Sequence, residues 1–374
     1  MARYEISHRT DYTYAMPVSV SHHATRLKPR NTPRQQCRHY QLHVRPEPMD
    51  LSERRDYFGN LVQHFSVQEM HRSLVVECVS EVSVEPVELP FADLTPSCAE
   101  VLELLEKRPA DEALTAIEYR YASPSIEWDE PLAAFAEPFF PPDAKLLDCA
   151  CALTASIYEQ FTFDATATDV TTPVMEAFEL GRGVCQDFAH LMIAALRSQG
   201  FAARYVSGYL LTESPPGAPR LIGADASHAW VAVWLPPYGW IELDPTNCQL
   251  CSEEHITVAY GRDFSDVAPI KGAVTGGGEH VIGIAVTVSP VEPPYSPRLR
   301  LPHKKKPAEP EPGTPEEASE PDAGPHLPTS EAAVATLESI EPRADEASPR
   351  PKSLADANGD APPKTTPTVE GEQL

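Results

Sequence analysis

Through the first 85 residues side chains of like character recur at every second position, and a chain with that period can only be laid out as strands. Tyr4, Ile6 and His8 alternate with polar neighbours, as do Val18, Val20 and His22. Tyr40, Leu42 and Val44 follow, then Val76, Cys78, Val82 and Val84. A period of two sends successive side chains to opposite faces, so each run covers a core with one face only. The segment DYFGN at 56–60 carries turn chemistry between two such runs. Short strands at roughly ten-residue spacing predict an antiparallel sandwich or barrel over 1–85.

Near residue 86 the period changes. Pro86, Pro90 and Pro96 break the alternation, and helical spacing takes over. Over 143–161, Leu147, Ala150, Cys151, Thr154, Ile157, Tyr158 and Phe161 fall on one face of a helix. A second helix is predicted over 184–199, with Phe188, Leu191, Met192, Ala195 and Leu196 on one side and Gly200 as a left-handed cap. Strands are expected again at 202–211, 228–235, 240–243 and 280–288. From 291 the composition shifts: 17 of the 40 prolines lie in the last 84 residues, where Tyr295 is the only aromatic residue. Such a stretch cannot bury enough apolar surface to offset its chain entropy, which predicts a disordered acidic tail over 291–374. The lysines at 304–306 read as a solvated charge run, and the tail names no partner.

The net charge of −25 disfavours nucleic acid backbones and anionic membranes as partners. No apolar run approaches the roughly 18 residues of a membrane span, and the first twenty residues lack a secretory h-region. The eight cysteines show no framework spacing, so reduced thiols and a cytoplasmic location are expected.

The chemistry concentrates in GRGVCQDFAH at 181–190. A glycine-containing turn runs into a helix that opens on Cys185, where unpaired N–H groups and the helix dipole favour a thiolate. Asp187 in the first turn would oppose this slightly. Taken alone, Cys185 is as well explained as a small packed hydrophobe. Downstream, a strand begins near His228, PPYG at 236–239 turns the chain, and WIELD returns to Asp244. With an odd loop centred on Pro236 or Pro237, His228 and Asp244 share a sheet face and stand opposite or one diagonal step apart. Other candidates are weaker. The Cys248–Cys251 spacing is half of a zinc pattern without a second half, and Cys149 and Cys151 diverge on a helix. His22, His23, His64 and His71 alternate in strands and read as surface or sheet residues. The glycines at 276–278 lack the Lys-Ser/Thr of a phosphate loop and read as a turn before the last strand. Trp230, Trp234 and Trp240 read first as sheet packing and second as the lining of a groove.

The combination resembles the transglutaminase-like superfamily, through GVCQDFAHLMIAALRSQGFAARYVSGYL, SHAWVAVWLPPYGWIELDPTN and GRDFSDVAPIKGAVTGGGEH. SVSHHATRLKPR and DYFGNLVQHFSV resemble the β-rich domain that precedes the core in bacterial members. The resemblance covers about residues 1–290. It implies an α+β fold, with an N-terminal antiparallel β domain (1–85), a papain-like transglutaminase core (86–290) and then the tail. It further implies Cys185 as nucleophile, His228 as general base and acid, and Asp244 as the residue orienting His228, acting on a peptide or protein amide. Hydrolysis is the expected outcome and transfer to an amine the alternative. No cofactor or metal is implied, and no calcium loop of the EF-hand kind is present. Two rival readings remain at this point: a non-catalytic interaction module on the same fold, and an acyltransferase of the arylamine N-acetyltransferase type.

Overall fold

The computed structural model describes residues 1–88, 92–107, 111–212, 227–292, 298–303 and 336–339. The alternating N-terminal segment forms β1 (Ala2–Thr25), β2 (Gln35–Arg45), β3 (Asp50–Arg55), β4 (Leu61–Val67) and β5 (His71–Val84). β1 is the spine. Its first half pairs antiparallel with β5, placing Ile6 opposite Ser80 and Tyr12 opposite Leu74. Its second half pairs with β4, placing Ala24 opposite His64. The alternation is read out as burial, with Tyr4, Ile6, His8, Thr10, Tyr12 and Tyr14 all turned inward. The predicted DYFGN turn joins β3 to β4: Asp56 Oδ1 accepts from the Phe58 and Asn60 N–H groups at 3.0 and 2.8 Å.

The second layer is helical, with α1 (Cys98–Lys107), α2 (Asp111–Ile117), α3 (Glu130–Ala136) and α4 (Leu146–Gln160). A two-residue strand β6 (Thr162–Phe163), helix α5 (Val174–Leu180) and a second short strand β7 (Arg182–Gly183) lead into α6 (Cys185–Ser198). Both helices expected from periodicity are present. Gly200, at φ 86°, follows α6 in the left-handed conformation. The expectation of a one-sided α6 needs correction: every residue from Cys185 to Arg197 is buried. A helix covered all round lies in the interior, and its polar side chains must then find partners. Arg197 does so completely, donating to the carbonyls of Tyr119, Tyr121, Ala203 and Arg262 and to Ser123 Oγ.

α6 packs against a six-stranded antiparallel sheet. Its strands are β8 (Ala203–Leu210), β9 (Ser227–Leu235), β10 (Gly239–Asp244), β11 (Gln249–Leu250) and β12 (His255–Gly261), followed after helix α7 (Phe264–Val267) by a distant contribution. Gly208 of β8 is a glycine for want of room: a Cβ there would collide with Ile256 O and the Trp230 indole.

Strands 270–292 depart from the expected partition. β13 (Ile270–Gly276) and β14 (His280–Glu292), grouped by sequence with the core, return to the N-terminal sheet and pair antiparallel with the two halves of β1. The reason is the length of β1, 24 residues, whose pairing with β4 and β5 leaves one edge open along each half. The three glycines at 276–278 all have positive φ and make the turn between these strands, as expected. The tail also departs from expectation where it is described. β15 (Leu299–Arg300) pairs with β11 as the last strand of the core sheet, Leu301 is buried, and β16 (Thr336–Ser339) runs parallel to β13. Leu299 and Leu301 supply the apolar contacts that proline-rich composition obscured. Residues 304–335 and 340–374, where disorder was expected, lie outside the described residues. Among the described residues no helix is long and apolar enough to cross a membrane.

Candidate active site

Cys185 is the first residue of α6. Phe188 makes the first intrahelical bond, to Val184 O, so the N–H groups of Cys185, Gln186 and Asp187 precede the ladder and gather at the helix start. The Asp187 carboxylate is engaged by the chain that precedes the helix. Its Oδ2 accepts from the Val184 N–H at 2.8 Å and from Thr168 Oγ1 at 2.6 Å, so the carboxylate caps the helix. Burial raises its pKa above the ordinary carboxylate value, against the lowering pull of those two bonds. Gly183 makes the cap possible, since a Cβ there would lie 2.5 Å from Asp187 Oδ2.

His228 and Asp244 come from adjacent strands. Leu235 pairs with Gly239 across a three-residue loop, the odd count that puts both residues on one face. Val231 opposite Leu243 sets the register, and His228 and Asp244 then stand one diagonal step apart. His228 Nε2 lies 2.8 Å from Asp244 Oδ2. That contact leaves Nδ1 as the free ring nitrogen, and Cys185 adds to the raising of the His228 pKa. All three side chains are buried or nearly so, with the His228 side chain 9% exposed.

Asp244 is held from several sides. Oδ1 accepts from the N–H groups of Thr246 and Asn247 at 2.9 and 3.1 Å, the turn chemistry of the DPTN segment. Oδ2 accepts from Asn247 Nδ2 at 2.7 Å and from His255 Nε2 at 3.2 Å. The Ser252 N–H donates to His255 Nδ1 at 3.3 Å, so a neutral His255 carries its proton on Nε2 and donates it to Asp244. His255 was missed by sequence reasoning: it is a lone histidine opening β12, and only the pairing of β12 with β8, next to β9, brings it here. His228, Asp244 and His255 also converge closely enough to hold a metal ion, but each already has a hydrogen-bonding partner within the group.

Burial disfavours the His228 imidazolium. The charge and hydrogen bond of Asp244, together with the bond to Cys185, outweigh it and lift His228 to about 10. Burial likewise opposes ionisation of Asp244, and the charge and hydrogen bond of His228, with the bond from His255, carry it well below the usual carboxylate range. The arrangement therefore stabilises an imidazolium beside a sulfur.

The remaining sequence candidates lie elsewhere. His190, though part of the cysteine motif, is buried and accepts the Phe264 N–H at 3.1 Å, and burial lowers it to about 4. Cys248 and Cys251 are buried singly, and burial pushes the Cys248 thiol up to about 11. Cys149 lies 3.7 Å from Cys98 rather than beside Cys151. His22 and His64 line a cavity of about 950 Å³ with His190, Trp128 and Lys271. None of Cys185, His228 and Asp244 lines that cavity, and reactive groups locate a site better than volume does. His23 stacks on Phe65 at 4.8 Å. Trp230 and Trp234 pack in the interior, whereas Trp240 borders a second cavity.

Comparison with known proteins bears on the family and the fold. Residues 4–83 match the family described as bacterial transglutaminase-like N-terminal region. Residues 133–245, which contain Cys185, His228 and Asp244, match the transglutaminase-like superfamily. The chain is 40% identical over 296 residues to the uncharacterized protein Rv2569c of Mycobacterium tuberculosis, covering 78% of this chain and 93% of that one. It is 34% identical over 103 residues to a protein-glutamine gamma-glutamyltransferase of Pseudomonas aeruginosa, a span of 25% of this chain and 15% of that protein. In fold it is similar to a provisionally assigned cysteine protease from Cytophaga hutchinsonii, with a TM-score of 0.63 at 19% identity over 79% of this chain and 93% of that one. The α+β architecture, the two matched regions and the near full-length relative together establish that the chain belongs to the transglutaminase-like superfamily, in the form that carries a bacterial transglutaminase-like N-terminal region.

Proposed function

We propose that the chain is a cysteine-dependent acyl-transfer enzyme that acts on amide bonds of peptides or proteins, with water as the ordinary acceptor. The observation that carries this reading is the 2.8 Å pairing of His228 with Asp244, on an imidazole whose protonated form is favoured by Asp244 and by Cys185 at the start of a buried helix. Cys185 is the nucleophile. As a thiolate it attacks the amide carbonyl to give a tetrahedral oxyanion, for which the Cys185 N–H at the helix start is the first donor. His228, holding the thiol proton, delivers it to the leaving amine, and a thioester remains. Water then gives up a proton to His228 as it attacks the thioester, releasing the acid and restoring the thiol. Asp244 fixes the imidazole and stabilises its charged form. An amine in place of water would make the same chemistry a transfer reaction.

The reading is tested with a peptide library digested in H₂¹⁸O, with and without a primary amine, by wild type and Cys185→Ala. The expected result is new carboxyl groups carrying ¹⁸O with wild type alone. Amine adducts without ¹⁸O acids would reassign the acceptor, and identical products from both proteins would overturn the role of Cys185.

A further inference from the structure

The carboxylate of Asp244 folds the chain that follows it. Its Oδ1 takes the Thr246 and Asn247 N–H groups, and this tight turn carries the Asn247 side chain back to Oδ2. The turn ends in a strained backbone. Cys248, next after Asn247, has φ 51°, in the left-handed region that side chains such as cysteine rarely enter. Among the described residues it is the only one other than glycine with a positive φ. It is held there from two sides: its side chain is buried, and its carbonyl accepts the Leu301 N–H at 2.8 Å. Strain of this kind persists where the surroundings over-determine it, and it collects at functional sites.

The effect of the turn is seen around Oδ2. Three N–H groups converge on that oxygen: His228 Nε2 at 2.8 Å, His255 Nε2 at 3.2 Å and Asn247 Nδ2 at 2.7 Å. An ionised carboxylate only accepts, which sets the Asn247 amide with its nitrogen toward Asp244. His255 is buried, and so is Trp230, whose ring lies 5.2 Å from that of His255 and 6.0 Å from that of His228. These two close the His228–Asp244 pair on its inner side. Asn247 is exposed, and its Nδ2 lies 3.3 Å from His228 Nε2, so the amide stands over the pair on the solvent side. Water in its place would take over the donation to Oδ2 and add its screening of the charge that Asp244 presents to the imidazole.

We propose that Asn247 is a positioning residue: its side-chain amide fixes Asp244 Oδ2 and shuts water out of the His228–Asp244 pair, and it acts on Cys185 through that pair. This role presupposes the reading of Cys185, His228 and Asp244 given above. The Asn247 backbone N–H to Oδ1 survives substitution of the side chain, so the turn is kept when the amide is removed.

The imidazole N–H that His228 shares with Asp244 is followed by proton NMR of the full chain in water, far downfield of the amides, and assigned by its loss in His228→Ala. Wild type should give a resolved resonance at neutral pH. In Asn247→Ala its exchange with water should be at least about tenfold faster, with the urea midpoint little changed. The same substitution should slow iodoacetamide alkylation of Cys185 by about fivefold, the worth of one hydrogen bond. Asn247→Gln, which keeps the donor, should recover part of that rate. In combination with Asp244→Asn, Asn247→Ala should add nothing to the loss that Asp244→Asn causes alone, because both act through one carboxylate. Should the alanine variant not fold, Asn247→Ser is read in the same way. An N–H invisible in wild type, one that exchanges no faster in Asn247→Ala, or additive losses in the double variant would each overturn the proposal. Cys185 alkylation indifferent to Asp244→Asn would instead be a failure of the underlying triad, and the exchange comparison would then decide on Asn247 by itself.

Discussion

Asp244 accepts from Thr246, Asn247, His228 and His255, and such crowding has consequences that single substitutions expose. His255→Phe removes one donor to the carboxylate and leaves the Ser252 N–H without its acceptor. It should cost about 1–3 kcal/mol in urea unfolding, while His255→Gln, which keeps a donor, should cost less. The pH dependence follows from the directions already given. His228 is raised to about 10, so the stability of its pairing is whole below its unfolded value, near 6.5, and is lost as pH climbs through about 10. Asp244 is lowered, so its contribution is present above its unfolded value, near 3.9, and is lost in acid. Thermal unfolding measured against pH should therefore show an alkaline decline that Asp244→Asn abolishes. In kcat/KM the basic limb should lie near pH 10 in wild type and fall toward neutrality in Asp244→Asn. His228 and Asp244 were legible in the sequence on the condition of an odd loop at the prolines, which the Leu235–Gly239 pairing meets. His255 was not, because nothing within ten residues of it distinguishes a lone strand histidine from a packed one.

At the scale of elements, the start of α6 is the part under closest tolerance. Gly183, Val184 and Asp187 form a cap in which the carboxylate fills the space a Cβ would need. Gly183→Ala should push Asp187 off Val184, destabilise the protein by about 1–3 kcal/mol in chemical unfolding, and slow alkylation of Cys185 by moving its helix turn. Unchanged alkylation in a destabilised variant would separate the cap from the site. Helices α4 and α6 were readable from period alone. That α6 is buried all round was not, since Gln186, Asp187, His190 and Arg197 are polar in composition. Their burial depends on partners at Val170, Thr168, Phe264 and Tyr119, which only the folded chain assembles.

Across the whole molecule, the return of β13 and β14 to β1 ties residues 270–292 to the first twenty-five. A chain cut after residue 268 would leave β1 with an open edge along both halves. Its β1 amides should exchange faster by hydrogen–deuterium measurement, and the fragment should aggregate where the full chain does not. Retained protection of β1 in that fragment would show that the first five strands are self-sufficient, as the period-two pattern by itself suggested. The pattern could announce strands at 280–288 but not their partner, because strand pairing at this separation is decided by open edges rather than by local sequence.

Activation of Cys185 by His228 and Asp244 is read out by iodoacetamide labelling across a pH series, resolved residue by residue by mass spectrometry. Burial raises the Cys78 and Cys151 thiols to about 12 and Cys248 to about 11, which keeps them protonated and slow. Cys185 should label first at neutral pH in wild type, about tenfold or more ahead of any other cysteine, and should lose that lead in His228→Ala. A Cys185 that reacts no faster than half-buried Cys37, or one indifferent to the loss of His228, would mean that His228 does not activate it.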